Sequence, residues 1–200
     1  MKAQHYPLQK VRIIGGIWRS RLLKVTDVPG LRPTTDRIRE TVFNWLGQNL
    51  EGLRCLDVFA GSGSLGFEAA SRQAETVVLI ERDKKAFANL EANLKALQSS
   101  KVDGRVEILC RDGLAFLRSQ AGQSWDLVFL DPPFDDKAAL ESSVREAARV
   151  CSSGPRGAIY IEAPASADSL VIESWLTDWQ CAKQMTAGQV KAFLFHPRRD

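Results

Sequence analysis

The sequence predicts a doubly wound α/β fold, and three features predict it: apolar runs of strand length, amphipathic stretches of helix length between them, and a glycine-rich turn after the first run. The runs are residues 55–59, 76–80, 106–109, 127–130 and 158–161, and the helical stretches are 65–71, 84–97, 113–118 and 137–150. Runs that are apolar throughout, rather than alternating, suit strands covered on both faces, so the sheet is expected to be parallel. Downstream the repeat changes. Residues 179–184 and 190–195 flank Ala187-Gly188 as two antiparallel strands around a turn, so the parallel sheet is expected to end in an antiparallel strand.

Upstream of the first run, residues 11–18 and 22–25 read as two short strands around the polar turn Arg19-Ser20-Arg21. Pro29-Gly30 and Pro33 break the chain. Thr34 or Thr35 can then cap a helix in which Ile38, Val42, Phe43, Trp45 and Leu46 recur at helical spacing before Gly47. This helix is expected to pack through Val42, Phe43 and Leu46. The expected division is a basic hairpin-and-helix extension over residues 1–50 and a main domain over 51–200.

A chain of 200 residues with 44% hydrophobic content suits one well-buried domain with an appendage, not two catalytic domains. No stretch approaches the ~20 apolar residues of a bilayer span, and the N-terminus lacks the apolar centre of a signal peptide, so a soluble, cytoplasmic protein without a membrane partner is expected. Cys55, Cys110, Cys151 and Cys181 are scattered without the paired spacing of zinc sites; no metal is expected, and the thiols read as reduced, mostly buried packing residues. The net charge of +3 is unevenly placed. Residues 1–50 hold nine Lys/Arg against Asp27, Asp36 and Glu40, a net +6, and the remainder carries −3. A basic extension on a mildly acidic body points to a polyanion-docking side, with Arg12, Arg19, Arg21, Lys24, Arg32 and Arg37 as candidate phosphate contacts. Local acids compete for some of these arginines.

Leu56-Asp57-Val58-Phe59-Ala60-Gly61-Ser62-Gly63-Ser64-Leu65-Gly66 takes the first strand into a tight turn that opens a helix, where small residues let the backbone approach a ligand. The G-x-G-x-x-G spacing alone also fits dinucleotides. Asp57 shifts the balance, because a carboxylate beneath the ligand suits the ammonium of a methionine moiety and would repel a pyrophosphate. Glu81, closing the next strand about 20 residues on, stands where a carboxylate accepts from both ribose hydroxyls of an adenosine. Asp83 is the better cap for the helix that follows. Asp112 of Arg111-Asp112-Gly113 has two readings, acceptor for an adenine amino group or helix cap, and they are compatible.

Asp131-Pro132-Pro133-Phe134 follows the apolar run 127–130. Two prolines lack amide hydrogens and fix φ, so the loop is stiff and presents carbonyl oxygens. With the Asp131 carboxylate and the Pro132 carbonyl accepting its hydrogens, an exocyclic amino group has its lone pair localised toward a methyl sulfonium, and Phe134 can stack on an extruded base. Catalysis is then mostly positioning for in-line transfer. The loop suits adenine N6, cytosine N4 and guanine N2 equally.

Over nearly its whole length the chain resembles the RsmD family of small-subunit ribosomal RNA guanine-N2 methyltransferases. The likeness rests on residues 12–16 with Trp18-Arg19, on residues 30–46 (Gly-Leu-Arg-Pro-Thr-Thr-Asp-Arg-Ile-Arg-Glu-Thr-Val-Phe-Asn-Trp-Leu), on Asp57 to Gly66 and on Asp131 to Phe134. The second of these is the most specific. The resemblance implies a Rossmann-like, seven-stranded class I S-adenosylmethionine-dependent methyltransferase fold, S-adenosylmethionine as cofactor, and one guanine N2 of 16S ribosomal RNA as target, within the small subunit. It also implies Asp57, Phe59, Ala60, Gly61, Gly63, Glu81, Arg82, Asp112 and Gly113 as the cofactor site, and Asp131, Pro132, Pro133 and Phe134 as the catalytic loop. The N-terminal hairpin and helix are expected to face RNA and cover the cofactor, and the protein to act as a monomer. Competing readings are a DNA adenine-N6 or other amino-methyltransferase with the same loop, an NAD-dependent oxidoreductase, and a non-catalytic RNA-binding module. The intact Asp131, Gly61, Gly63 and Glu81 speak against the last. His5 and His196 lie outside the motifs, with His196 a candidate RNA contact.

Overall fold

The computed structural model describes residues 10–25, 36–120, 125–133 and 137–198. In chain order the elements are β1 (Lys10–Arg12), β2 (Leu22–Lys24), α1 (Asp36–Leu46), β3 (Arg54–Asp57), α2 (Ser64–Ser71), β4 (Thr76–Glu81) and α3 (Lys84–Leu97). There follow β5 (Arg105–Cys110), α4 (Gly113–Ser119), β6 (Leu127–Leu130), α5 (Lys137–Val150), β7 (Ala158–Pro164), α6 (Ser169–Glu173), β8 (Trp179–Ala187) and β9 (Val190–Pro197). The proposed caps at Thr34 and Thr35, and Arg32, His5 and Phe134, lie outside the described residues.

A seven-stranded sheet runs β5-β4-β3-β6-β7-β9-β8. The five strands expected to be parallel are parallel, and β9 pairs antiparallel with both β7 and β8. The sheet therefore does not end in its antiparallel strand: β9 inserts between β7 and β8, which leaves β8 at the edge. Residues 188–189 join these last two strands, too short a link for anything but antiparallel neighbours. α6 was not legible in the sequence.

The two faces carry separate cores. On one, α1, α2, α3 and the hairpin residues Val11, Ile13, Trp18, Leu23 and Val25 pack on Cys55, Phe129 and Tyr160; on the other, α4, α5 and α6 cover Leu56, Val128, Ile159 and Phe193. α1 lays Ile38, Val42 and Phe43 on the first face, with the Phe43 and Phe129 rings 6.0 Å apart, and Leu46 only half-buried. Cys55 and Cys151 are buried as expected, but Cys110 is exposed, at the end of β5, an edge strand of the sheet among the described residues.

The N-terminal hairpin is shorter than its apolar residues suggest. Only three residue pairs join β1 and β2, and residues 13–21 form a loop between them that seats on α2. Gly16 adopts φ +73°, and a Cβ there would lie 1.9 Å from the Ser71 carbonyl oxygen, so only glycine permits the approach. Ile17 N donates to that same oxygen at 2.8 Å, Trp18 N donates to Ser71 Oγ at 2.9 Å, and Trp18 meets Phe67 edge-on at 6.4 Å. All eight residues of α2 are consequently buried.

Candidate active site

The C-terminal ends of β3, β4, β5 and β6 converge, the place where open parallel sheets bind ligands. Asp57 ends β3, buried, and its Oδ2 accepts from Gly66 N at 2.9 Å. The turn between them passes through Gly61 (φ +52°) and Gly63 (φ +78°). Gly63 precedes α2 in the left-handed region with no side chain capping the helix, and a Cβ on it would stand 2.5 Å from the Phe67 ring. The missing Cβ lets the turn pack tightly on Phe67 and Leu90, and Asp57 accepts from the first turn of α2, so the glycine turn, the helix start and the acid are held together. Phe59 is half-buried, Ala60 is buried, and Ala60 N donates to Ile80 O at 2.9 Å, tying the turn to β4.

Glu81 ends β4. Its Oε2 accepts from Gly61 N at 2.8 Å and its Oε1 from Asp83 N at 2.7 Å, so the carboxylate is fixed between the glycine turn and the next loop. A carboxylate offers about four acceptor sites, leaving capacity for further donors. Asp83 caps α3 by accepting from Lys85 N and Ala86 N, as its position suggested. Asp112 caps α4 through Ala115 N at 2.8 Å and is exposed; Gly113 is buried against Val58 and Phe59, and Arg82 is exposed. Asp131 follows β6, half-buried, with Pro132 buried and Pro133 exposed.

Behind this rim lies an acidic group that sequence reasoning missed in part. Glu162, buried in β7, accepts from the Tyr160 hydroxyl at 2.8 Å. Burial pushes the Asp57 carboxyl up from 3.8 to about 7, against the opposing Gly66 hydrogen bond, with Glu81 and Glu162 adding repulsion. Burial likewise raises the Asp131 carboxyl well above its ordinary range, with Glu162 and then Asp57 as the repelling charges. The Tyr160 hydroxyl is raised by burial and by Glu162. An acid inside the run Ala158-Ile159-Tyr160-Ile161-Glu162 was the available signal, since a strand covered on both faces has no solvent for a carboxylate. This buried negative site fits a cationic ligand: an ammonium beside Asp57 would offset the burial, and the added repulsion, that raise its carboxyl.

The N-terminal basic residues divide into two kinds. Lys10, Arg12 and Lys24 are exposed on one side of the hairpin, with Lys10 directly opposite Lys24, while Arg19 and Arg37 are exposed elsewhere on the extension. Like charges paired across strands are unfavourable until a polyanion neutralises them. Arg21 instead donates from Nη2 to Ala96 O (2.7 Å) and Ser99 Oγ (2.9 Å). Arg39, not singled out from the sequence, is fully buried between Asp36 (2.6 Å) and Glu68 (3.7 Å). Glu68 also accepts from Ile14 N (2.8 Å) and Gly15 N (2.7 Å) and pairs with Arg72 (2.9 Å), whose guanidinium lies over the Phe43 ring and donates to Gln48 Oε1. His196 Nδ1 lies 2.8 Å from Gly157 O, before the start of β7 and so at the opposite end of the sheet from Asp131. Among the described residues no helix is long and apolar enough to cross a membrane, and no side-chain group could hold a metal ion.

A mixed sheet with one antiparallel strand near its edge, a glycine turn over a buried acid and a proline-stiffened acidic loop define a class I S-adenosylmethionine-dependent methyltransferase. The family described as conserved hypothetical protein 95 matches residues 11–196, and the chain belongs to it, the RsmD family. The "Ribosomal RNA small subunit methyltransferase D" of Haemophilus influenzae is 40% identical over 190 residues, covering 93% of each chain. Its Escherichia coli K12 namesake is 38% identical over 194 residues, covering 97% of this chain and 93% of its own. The solved structure of a putative methyltransferase from Escherichia coli superposes with a TM-score of 0.78 at 36% identity, over 96% of this chain and 100% of that one.

Proposed function

We propose that this protein transfers a methyl group from S-adenosylmethionine to the exocyclic N2 of a guanine in small-subunit ribosomal RNA, acting as a monomer on the RNA within the small subunit. The observation that carries the reading is the convergence of Asp57, Glu81 and the Asp131-Pro132 loop at the ends of adjacent strands. The relatives named as small-subunit ribosomal RNA methyltransferases support the choice of RNA.

S-adenosylmethionine, when bound, supplies the electrophilic methyl on a sulfonium. In this reading Asp57 and the 61–63 turn hold its methionine end, Glu81 and Arg82 face the ribose, and Asp112 and Gly113 border the adenine, with Phe59 and Ala60 completing the wall. Asp131 and the Pro132 carbonyl accept hydrogens from the target amino group and orient its lone pair, while Pro133 stiffens the loop. Phe134 is assigned to stacking on the base. Residues 1–50 serve as the RNA-facing extension, through Arg12, Arg19, Lys24 and Arg37, with Arg21 and Arg32 as further candidates. The test is transfer of labelled methyl to small subunits and to protein-free ribosomal RNA, followed by nucleoside digestion. N2-methylguanosine is the expected product; labelled N6-methyladenine, or no label despite cofactor binding, overturns the assignment.

A further inference from the structure

β6 and β7 run in parallel register, with Leu130 opposite Ile161, so the next positions are Asp131 and Glu162. Side chains alternate along strands, and the Phe129 and Tyr160 rings meet at 6.0 Å on one face. Glu162, two residues after Tyr160 in β7, therefore projects from that same face, and Asp131, the first residue after β6, stands at the next register position, close enough for the two charges to repel. Glu162 is 2% exposed and shares with Pro132 and Pro133 the wall of a cavity of about 260 Å³ that opens beside the loop. Glu162 thus reaches the cavity beside the loop on which Asp131 stands, where the target base is expected.

We propose that Glu162 is the guanine-selecting residue, accepting the N1–H of the target base while Asp131 accepts from its N2 amino group. The inference rests on the guanine-N2 reading above and extends it to a residue that reading did not use. Guanine carries two adjacent donors, N1–H and N2–H, on its Watson–Crick edge, whereas adenine and cytosine each set an acceptor nitrogen beside the amino group. A neighbouring pair of carboxylates matches the first pattern and opposes a lone pair to a lone pair in the second. Asp131 alone gives no such choice, because every exocyclic amino group satisfies it. The Tyr160 hydroxyl, donating to Glu162 Oε1 from the protein side, holds the carboxylate in place, which makes Tyr160 a positioning residue. The repulsion between the two acids is the counterpart of the same design: two donors arriving together relieve it.

The test compares two RNAs, one with guanine at the mapped methylation site and one with 2-aminopurine there, which keeps the N2 amino group but turns N1 into an acceptor. The wild-type protein is expected to methylate the guanine RNA roughly 100-fold faster in kcat/KM. Glu162→Gln, whose amide can donate to N1, is expected to slow guanine and to bring the ratio down by at least about tenfold. A wild-type ratio near one overturns the role of Glu162, and since that arm uses no variant, misfolding cannot obscure it. A ratio unchanged by Glu162→Gln in protein that still binds S-adenosylmethionine also overturns it. Failure of the wild type to label any guanine N2 would instead sink the proposed function itself, and it is recognised before the 2-aminopurine arm begins.

Discussion

Asp57→Asn should make the protein more stable while altering the proposed cofactor contact, and the gain should depend on pH in a defined way. Burial raises the Asp57 carboxyl from 3.8 to about 7, so the folded state binds a proton more tightly than the unfolded chain. A raised acid is no burden below pH 3.8, becomes a growing burden from there to about 7, and a constant one above. Each pH unit in that window is worth about 1.4 kcal/mol, which makes the full effect about 4 kcal/mol. Asparagine keeps an oxygen for Gly66 N and has no charge to bury. Urea unfolding of both proteins without cofactor should therefore show the variant's advantage growing by about 2.5 kcal/mol between pH 5 and pH 8, and level above pH 7. Saturating S-adenosylmethionine should narrow the gap at pH 8 by stabilising the wild type selectively. An advantage that is constant from pH 5 to pH 8 would refute the buried-acid argument.

Asp131→Ala should reduce methyl transfer by about 100- to 1,000-fold and leave S-adenosylmethionine affinity nearly intact by calorimetry; near-normal turnover would remove the loop from the mechanism. Arg12→Ala with Arg19→Ala, both exposed, should weaken RNA binding and flatten the slope of log K against log salt by about 1.5 to 2, whereas an unchanged slope would leave them as solvated surface. Glu68→Ala removes the acceptor shared by Arg39, Arg72 and two backbone donors, and should cost about 3 to 5 kcal/mol in urea unfolding. A loss under about 1 kcal/mol would mean that Glu68 does not hold the hairpin, which is then seated by the Ser71 hydrogen bonds and its apolar side chains.

The helices over 84–97 and 137–150 were legible to the residue, because their apolar periodicity is uninterrupted and the cap Asp83 marks one start. The glycine turn and its flanking acids were legible because their spacing is local. What sequence did not disclose depends on distant chain. Glu68 reads as a surface acid on a short helix, yet it is buried because residues 13–18 fold over it from more than 50 positions upstream. Glu162 stood in plain view, but its place beside the Asp131 loop comes from the pairing of β6 with β7, which local pattern does not supply. The insertion of β9 between β7 and β8 was hidden for a similar reason: local pattern gives a hairpin and not the edge on which it docks.

The seating of the hairpin on α2 also sets an order of events during synthesis. Strands of three residues cannot hold together alone, and the partners of Ile14, Gly15 and Trp18 lie 53 to 54 residues later in the chain. At about 5 to 20 residues per second, the segment waits roughly 3 to 10 s after its own synthesis before its dock exists. Residues 10–25 are thus made well before the α2 surface that seats them, and the basic strand Lys10–Arg12 has to wait for it.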